Sequence, residues 1–243
     1  MHLIGMSTDT IVNSLADTAL YKLITWLSPN FPVGAFTYSH GLEFAVEMNQ
    51  VSDYDGLTHW VDGILRFGSG RVDSSFFRAA YEAQSSCDMT ALSLIMERAY
   101  AQRGSAELIL ESTTQGRAFI DTLVKVWPEA RLQAWHDRLA VDRCEPPYPI
   151  AVAVAAAIAA VPLEAALITY LHSFASNLVS AGLRLIPLGQ TDGQRAMAHL
   201  EHRIIDSARA AVVRDPEDFG AAAVMVDWMS MQHETQYTRL FRS

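Results

Sequence analysis

Tyr38, His40 and Glu43 fall within six positions of the stretch LSPNFPVGAFTYSHGLEFA, residues 27 to 45. A phenol, an imidazole and a carboxylate at that spacing offer an acid, a base and an orienting group, a set suited to proton-transfer chemistry. The corresponding activity would be a helical metal-dependent hydrolase that uses His40, Glu43 and one of His199 or His202. Phe31, Val33, Phe36 and Leu42 are interleaved with these polar groups on a scaffold of Pro29, Pro32 and Gly34. Aromatic and apolar groups on a stiff turn suit a surface that another protein reads equally well. Residue types alone leave both readings open.

Elsewhere the reactive patterns are incomplete. HETQY at 233 to 237 begins like the H-E-x-x-H zinc motif, but Tyr237 stands where the second ligand is needed. GSGRVDSS at 68 to 75 lacks the Walker pattern and any Lys to reach phosphates. His199 and His202, three apart on a helix, share a face, yet Glu201, Arg203 and Asp206 beside them read as a solvated surface. His172, next to Leu171 and close to Phe174, reads as a hydrogen-bonded core or interface histidine. There is no G-x-S-x-G, and neither Cys87 nor Cys144 sits in a nucleophile or C-x-x-C context. No self-sufficient catalytic set emerges.

The elements that must position these residues are helical almost throughout, and no segment has a convincing period of two. The expected fold is all-α: a single compact helical domain of about ten helices spanning residues 1 to 243, with a variable segment at 1 to 10 and a tail at 233 to 243. Leu57, Trp60, Val61, Ile64 and Leu65 mark one helix, with Ser52 and Asp53 as cap candidates and GSG at 68 to 70 as its end. Further helices follow at 72 to 84, 92 to 99 and from Gly104 to Trp127. CEPPYP at 144 to 149 reads as a loop inside one domain. IAVAVAAAIAAVPL at 150 to 163 is uncharged but too short to span a bilayer and is broken by Pro162, so it reads as a buried helix. A long helix over 163 to 186 places Leu167, Tyr170, Leu171, Phe174 and Leu178 toward a core. PLGQTDGQ at 187 to 194 ends it and restarts the chain, with Thr191 and Gln194 as a capping box. A final helix is expected from about 217, carrying Phe219, Ala222, Met225 and Met229.

The charge balance narrows the function classes. Net charge is −9, and the 18 Lys and Arg are scattered without a basic run, which argues against nucleic acid as a partner. Two cysteines fit a reducing compartment, and the first ten residues show no charged-then-apolar leader, so a cytoplasmic protein is expected.

Three segments together resemble a known family. LSPNFPVGAFTYSHGLEFAVE, LHSFASNLVSAGLRLIPLGQTDGQ and HETQYTRLFRS are similar, in that order and with suitable separation, to the signature regions of the urease accessory protein UreF. Ala35 stands where the family often has a second Gly. The resemblance implies an all-helical dimer without enzymatic activity or cofactor of its own. It would bridge the accessory protein UreD or UreH and the GTPase UreG, with nickel and GTP handled by the complex that matures apo-urease. By motif, Pro32, Gly34, Phe36, Tyr38, His40, Gly41 and Glu43 are similar to the region facing the GTPase. His233, Glu234, Tyr237, Arg239, Leu240, Phe241 and Arg242 resemble the tail that orders on binding UreD or UreH, which implies that it is mobile without a partner. Asn177, Arg184, Pro187, Gly189 and Gln190 are the candidates for the dimer contact and its internal support. No metal ligands are implied.

Overall fold

The computed structural model describes the backbone from Thr8 to Ser243 and side chains from Asp17 onward. Among the described residues it is all-α, with eleven α-helices, one 3-10 turn at Ala35–Thr37 and no strand. They run α1 (Thr8–Trp26), α2 (Leu42–Glu47), α3 (Tyr54–Phe67), α4 (Ser69–Ser85), α5 (Met89–Ala101), α6 (Ala106–Val126), α7 (Ala130–Asp142), α8 (Tyr148–Ile158), α9 (Leu163–Leu185), α10 (Gln190–Val213) and α11 (Val224–His233).

α8 is the centre of the fold. Ile150 to Ala156 are all buried, because α4 and α6 cover it most closely and α7 and α9 close the remaining sides. A helix enclosed on every side has no polar face to offer, which explains an apolar run too short for a membrane. No helix among the described residues is long and apolar enough to cross one. Its alanines let α4 and α6 approach closely, and the larger groups Phe76, Phe77, Phe119 and Leu123 fill the space around it. CEPPYP connects α7 to α8 within this core, but Tyr148 and Pro149, read as loop, already form the first turn of α8. A Cβ on Gly116 of α6 would lie 1.9 Å from the Pro146 carbonyl oxygen, so the loop is clamped directly onto the helix.

Several helix starts follow from local chemistry. Asp53 accepts the Gly56 N–H at 2.8 Å and Asp88 the Ala91 N–H at 2.9 Å, side-chain caps that satisfy donors no helical carbonyl can reach. At α10 the expected pairing of Thr191 with Gln194 is not what forms. The helix begins at Gln190, and Asp192 reaches back to the Gly189 N–H at 3.0 Å, so the cap is set two residues earlier.

The last helix also starts later than its pattern suggests, at Val224 rather than near 217. Arginines on α4 engage the preceding segment in its extended form. Arg78 donates to the carbonyls of Val212 and Arg214, and Arg71 donates to Gly220 O at 2.9 Å and to the Asp218 carboxylate at 2.5 Å. Phe219 is buried as its type requires, stacked on Phe76 at 4.4 Å, but from an irregular backbone. His172, expected in a core or interface, is exposed on α9, at the edge of the cleft described below.

Candidate functional site

The three motif segments, distant in sequence, meet at one place. After α1 the chain turns through Ser28 to Gly34, makes the 3-10 turn, and enters α2 through His40 and Gly41, both left-handed with φ of 54° and 74°. Glycine is required at 41 for two reasons. The left-handed backbone disfavours a side chain, and a Cβ would lie 2.6 Å from the Ser230 backbone nitrogen of α11. That close approach seats α11 on α2, and a Ser105–Ser230 hydroxyl contact of 2.7 Å fixes its other side to the start of α6.

α11 ends at His233, whose side chain is fully buried. Its Nδ1 is 2.6 Å from Glu107 Oε2 and its Nε2 is 3.1 Å from Glu43 Oε2. Glu43 also accepts the Leu240 N–H at 2.6 Å and the Phe241 N–H at 2.9 Å, while Arg239 donates to Glu107 at 2.7 Å. The last residues continue along the opening stretch. Arg242 N–H donates to Thr37 O at 2.8 Å, Ser39 N–H donates to Ser243 O at 2.7 Å, and the Ser243 hydroxyl donates to Glu111 at 2.7 Å.

The segment expected to be mobile without a partner therefore lies docked on its own domain, with Phe241 and Ser243 buried. Charge-assisted bonds from backbone donors to a buried carboxylate are strong ones, which gives a physical reason for the difference.

The third motif supports the same turn from below. Asn177 Nδ2 donates to Ala35 O and Arg184 Nη1 to Phe36 O, each at 2.8 Å, and the Arg184 guanidinium lies 4.4 Å from the Phe241 ring centroid. Burial lowers the Arg184 pKa, a penalty that the aromatic face and the carbonyl oppose. Asn177 and Arg184 thus act inside the protomer, whereas Pro187, Gly189 and Gln190 occupy the exposed turn between α9 and α10.

Behind the opening loop is a cleft of about 380 Å³, bordered by Phe36, His40, Glu111, Ser173 and Asn177. Its floor is a buried polar network. Arg103 pairs with Asp73 at 2.8 Å and donates to Ser112 at 3.1 Å, and the Tyr170 hydroxyl donates to Asp73 at 2.8 Å. Burial, followed by the Asp73 charge, pushes the Tyr170 hydroxyl well above its ordinary value.

Exposure divides the residues singled out in the sequence. Pro32 and Phe36 are exposed and Gly34 is half-buried, while Tyr38, His40, Gly41 and Glu43 are buried. In the tail, His233 and Phe241 are buried; Glu234, Tyr237, Arg239, Leu240 and Arg242 are exposed. Glu234 nevertheless caps α6 by accepting the Ala106 N–H at 2.8 Å. The acid, base and orienter that Tyr38, His40 and Glu43 might form do not come together. His40 Nδ1 is 3.1 Å from Glu111 Oε2 but out of line for a hydrogen bond, and its ring packs edge-on against Phe174 at 5.0 Å. Glu43 is occupied by His233 and two backbone donors, and His199 and His202 lie exposed on α10. Among the described residues no group of three His, Cys, Asp or Glu side chains is arranged to hold a metal ion.

Glu107, Glu111, Asp73 and Arg103 escaped the sequence reading. The only available signal was the spacing of Glu107 and Glu111, four apart on one face of an otherwise mixed helix.

Comparison with known proteins adds the family. The UreF family model matches residues 51–201. A "Urease accessory protein UreF" of Rhodopseudomonas palustris is 47% identical over 227 residues, covering 93% of this chain and 91% of that protein. One from Granulibacter bethesdensis is 45% identical over 234 residues, covering 95% and 97%, and one from Bradyrhizobium diazoefficiens is 47% identical over 227 residues, covering 93% and 92%. With the helical fold and the meeting of all three motif segments, these matches place the chain in the UreF family of urease accessory proteins.

Proposed function

We propose that the chain is a non-enzymatic scaffold in urease maturation, bridging a UreD or UreH accessory protein and the UreG GTPase so that GTP hydrolysis is coupled to nickel insertion into apo-urease. One observation carries this reading: the opening stretch and the tail share a single buried carboxylate, Glu43, while each presents its own exposed groups. Pro32 and Phe36 offer one docking surface, and Tyr237 and Leu240 offer another. A partner that reshapes the tail necessarily disturbs the hydrogen bonds that hold the loop, and the converse holds too. Nickel and GTP belong to the complex. The protein works in the cytoplasm and forms a dimer, for which the exposed turn of Pro187, Gly189 and Gln190 is the available contact and Asn177 and Arg184 are internal supports.

The deciding experiment is urease activity at limiting nickel in cells carrying the cognate operon with the gene intact, deleted, or truncated before His233. Activity should be lost on deletion and restored only by the full chain. Unchanged activity on deletion would end the maturation reading. A narrower test addresses the loop. Phe36 is exposed and its truncation leaves the core untouched, so Phe36→Ala should weaken GTPase recruitment to the purified subcomplex about tenfold without lowering the melting temperature. Equal recruitment by variant and parent in a pull-down titration would remove the GTPase-facing assignment.

A further inference from the structure

A second pocket, away from the motif segments, lies where the end of α3 and the start of α4 meet α10. It has a volume of about 200 Å³, and its lining includes Arg66, Arg71, Arg203, Arg214, Phe67 and Asp206. Four of the chain's 18 Lys and Arg collect here in a protein of net charge −9.

The neighbouring carboxylates do not neutralise all four. Asp62 lies 3.3 Å from Arg66 and 3.4 Å from Arg203, and Asp218 takes Arg71. Asp206 stands at the exposed rim. The buried Arg78, which also faces this region, is matched by Glu82 at 3.7 Å. Among the described residues Arg214 has no carboxylate within ion-pair distance. Its Nη1 donates to Arg71 O at 3.0 Å and to the Ser75 hydroxyl at 2.6 Å, which leaves other donors of its guanidinium for the pocket. Burial, and then the adjacent Arg71 and Arg78, act against its charge and outweigh the nearby Asp218, which favours it. A partly buried cation crowded by a second cation is stabilised by an anion placed between them.

We propose that this pocket binds a phosphate-class oxyanion, with Arg71 and Arg214 at its base and Arg66 and Arg203 at its rim. Arginines contributed to one lining by α3, α4 and the end of α10 match an anion with oxygens in several directions better than a planar carboxylate, which one fork satisfies. The volume admits a phosphate group and falls below what a nucleoside needs. The site is independent of the partner surfaces proposed above, and an occupant would tie α4 to the connection that leads into α11.

The test is isothermal titration of the purified full chain with orthophosphate at fixed ionic strength, with acetate as comparator. One saturable site with a Kd below about 1 mM is expected, with acetate at least tenfold weaker. Arg214→Gln, which keeps hydrogen-bonding capacity but removes the charge, should weaken phosphate binding tenfold or more. Arg203→Glu reverses an exposed charge and should abolish binding; losing its surface pairing with Asp62 lowers the melting temperature in phosphate-free buffer by no more than about 4 °C, so it decides the matter even if Arg214→Gln folds poorly. No saturation, equal affinity for acetate, or undiminished binding by Arg203→Glu would overturn the proposal.

Discussion

Glu43→Ala is expected to destabilise the protein by about 3–5 kcal/mol, the range for removing one partner of a buried ionic cluster. Glu43 accepts from two backbone N–H groups and faces the buried His233, so its loss strips both N–H groups of their acceptor and leaves His233 with Glu107 alone. For a chain of this size each kcal/mol lowers the melting temperature by roughly 2–4 °C, so the melt should fall by about 6–20 °C. The tail should also loosen before global unfolding at Leu240 and Phe241, whose N–H groups lose their acceptor, although the contacts of Arg239, Arg242 and Ser243 remain. Trypsin cleavage after Arg239 or Arg242 under native conditions, absent in the parent, would report that loosening. A variant that melts within about 2 °C of the parent, with its tail still protected, would show that Glu43 does not hold the site together.

Gly41→Ala has the second large effect, and Gly34→Ala supplies its control. Both glycines have φ of 74°, so alanine at either carries a left-handed backbone penalty of about 1–2 kcal/mol. At Gly34 nothing lies within 4 Å of the new Cβ, whereas at Gly41 it would meet the Ser230 backbone nitrogen at 2.6 Å. Backbone on both sides cannot rotate away as a side chain would. α11 must shift, which adds about 1–3 kcal/mol of strain and pulls His233 from Glu43. Chemical denaturation of the two variants should therefore differ by at least about 1 kcal/mol in the order stated. Equal stabilities would mean that α2 and α11 adjust freely.

The helical fold was readable because it rests on periodicity, and periodicity is local. Leu57 to Leu65 and Leu167 to Leu178 gave their faces directly, and Asp53 acts as a cap as its type suggests. The misreadings occurred where tertiary hydrogen bonds outweigh the pattern. Phe219 and Ala222 fit a helical stripe, but Arg71 and Arg78 engage the carbonyls and the carboxylate of that segment from another helix. Of the candidate site, the motif segments were visible and their meeting was not. Nothing in SHGLE or RLFRS indicates that Glu43 would accept from Leu240 and Phe241, or that Glu107 would complete the cluster. Burial of Glu43 was equally hidden, because a carboxylate is buried where distant groups, here Leu240, Phe241 and His233, can satisfy it.

The contacts between 39–43 and 240–243 have a kinetic meaning as well. They join residues about 200 positions apart, so closing that loop costs more entropy than the contacts between neighbouring helices do. Most helix pairs of α3 to α10 are closer in sequence than this, so the junction at Glu43 is expected to form late in folding. A chain halted at an intermediate, or cut between these segments, would keep most of its helicity and lack the junction altogether. Competence to engage partners would then be a property of the completed molecule alone, and an immature copy would not compete with a finished one.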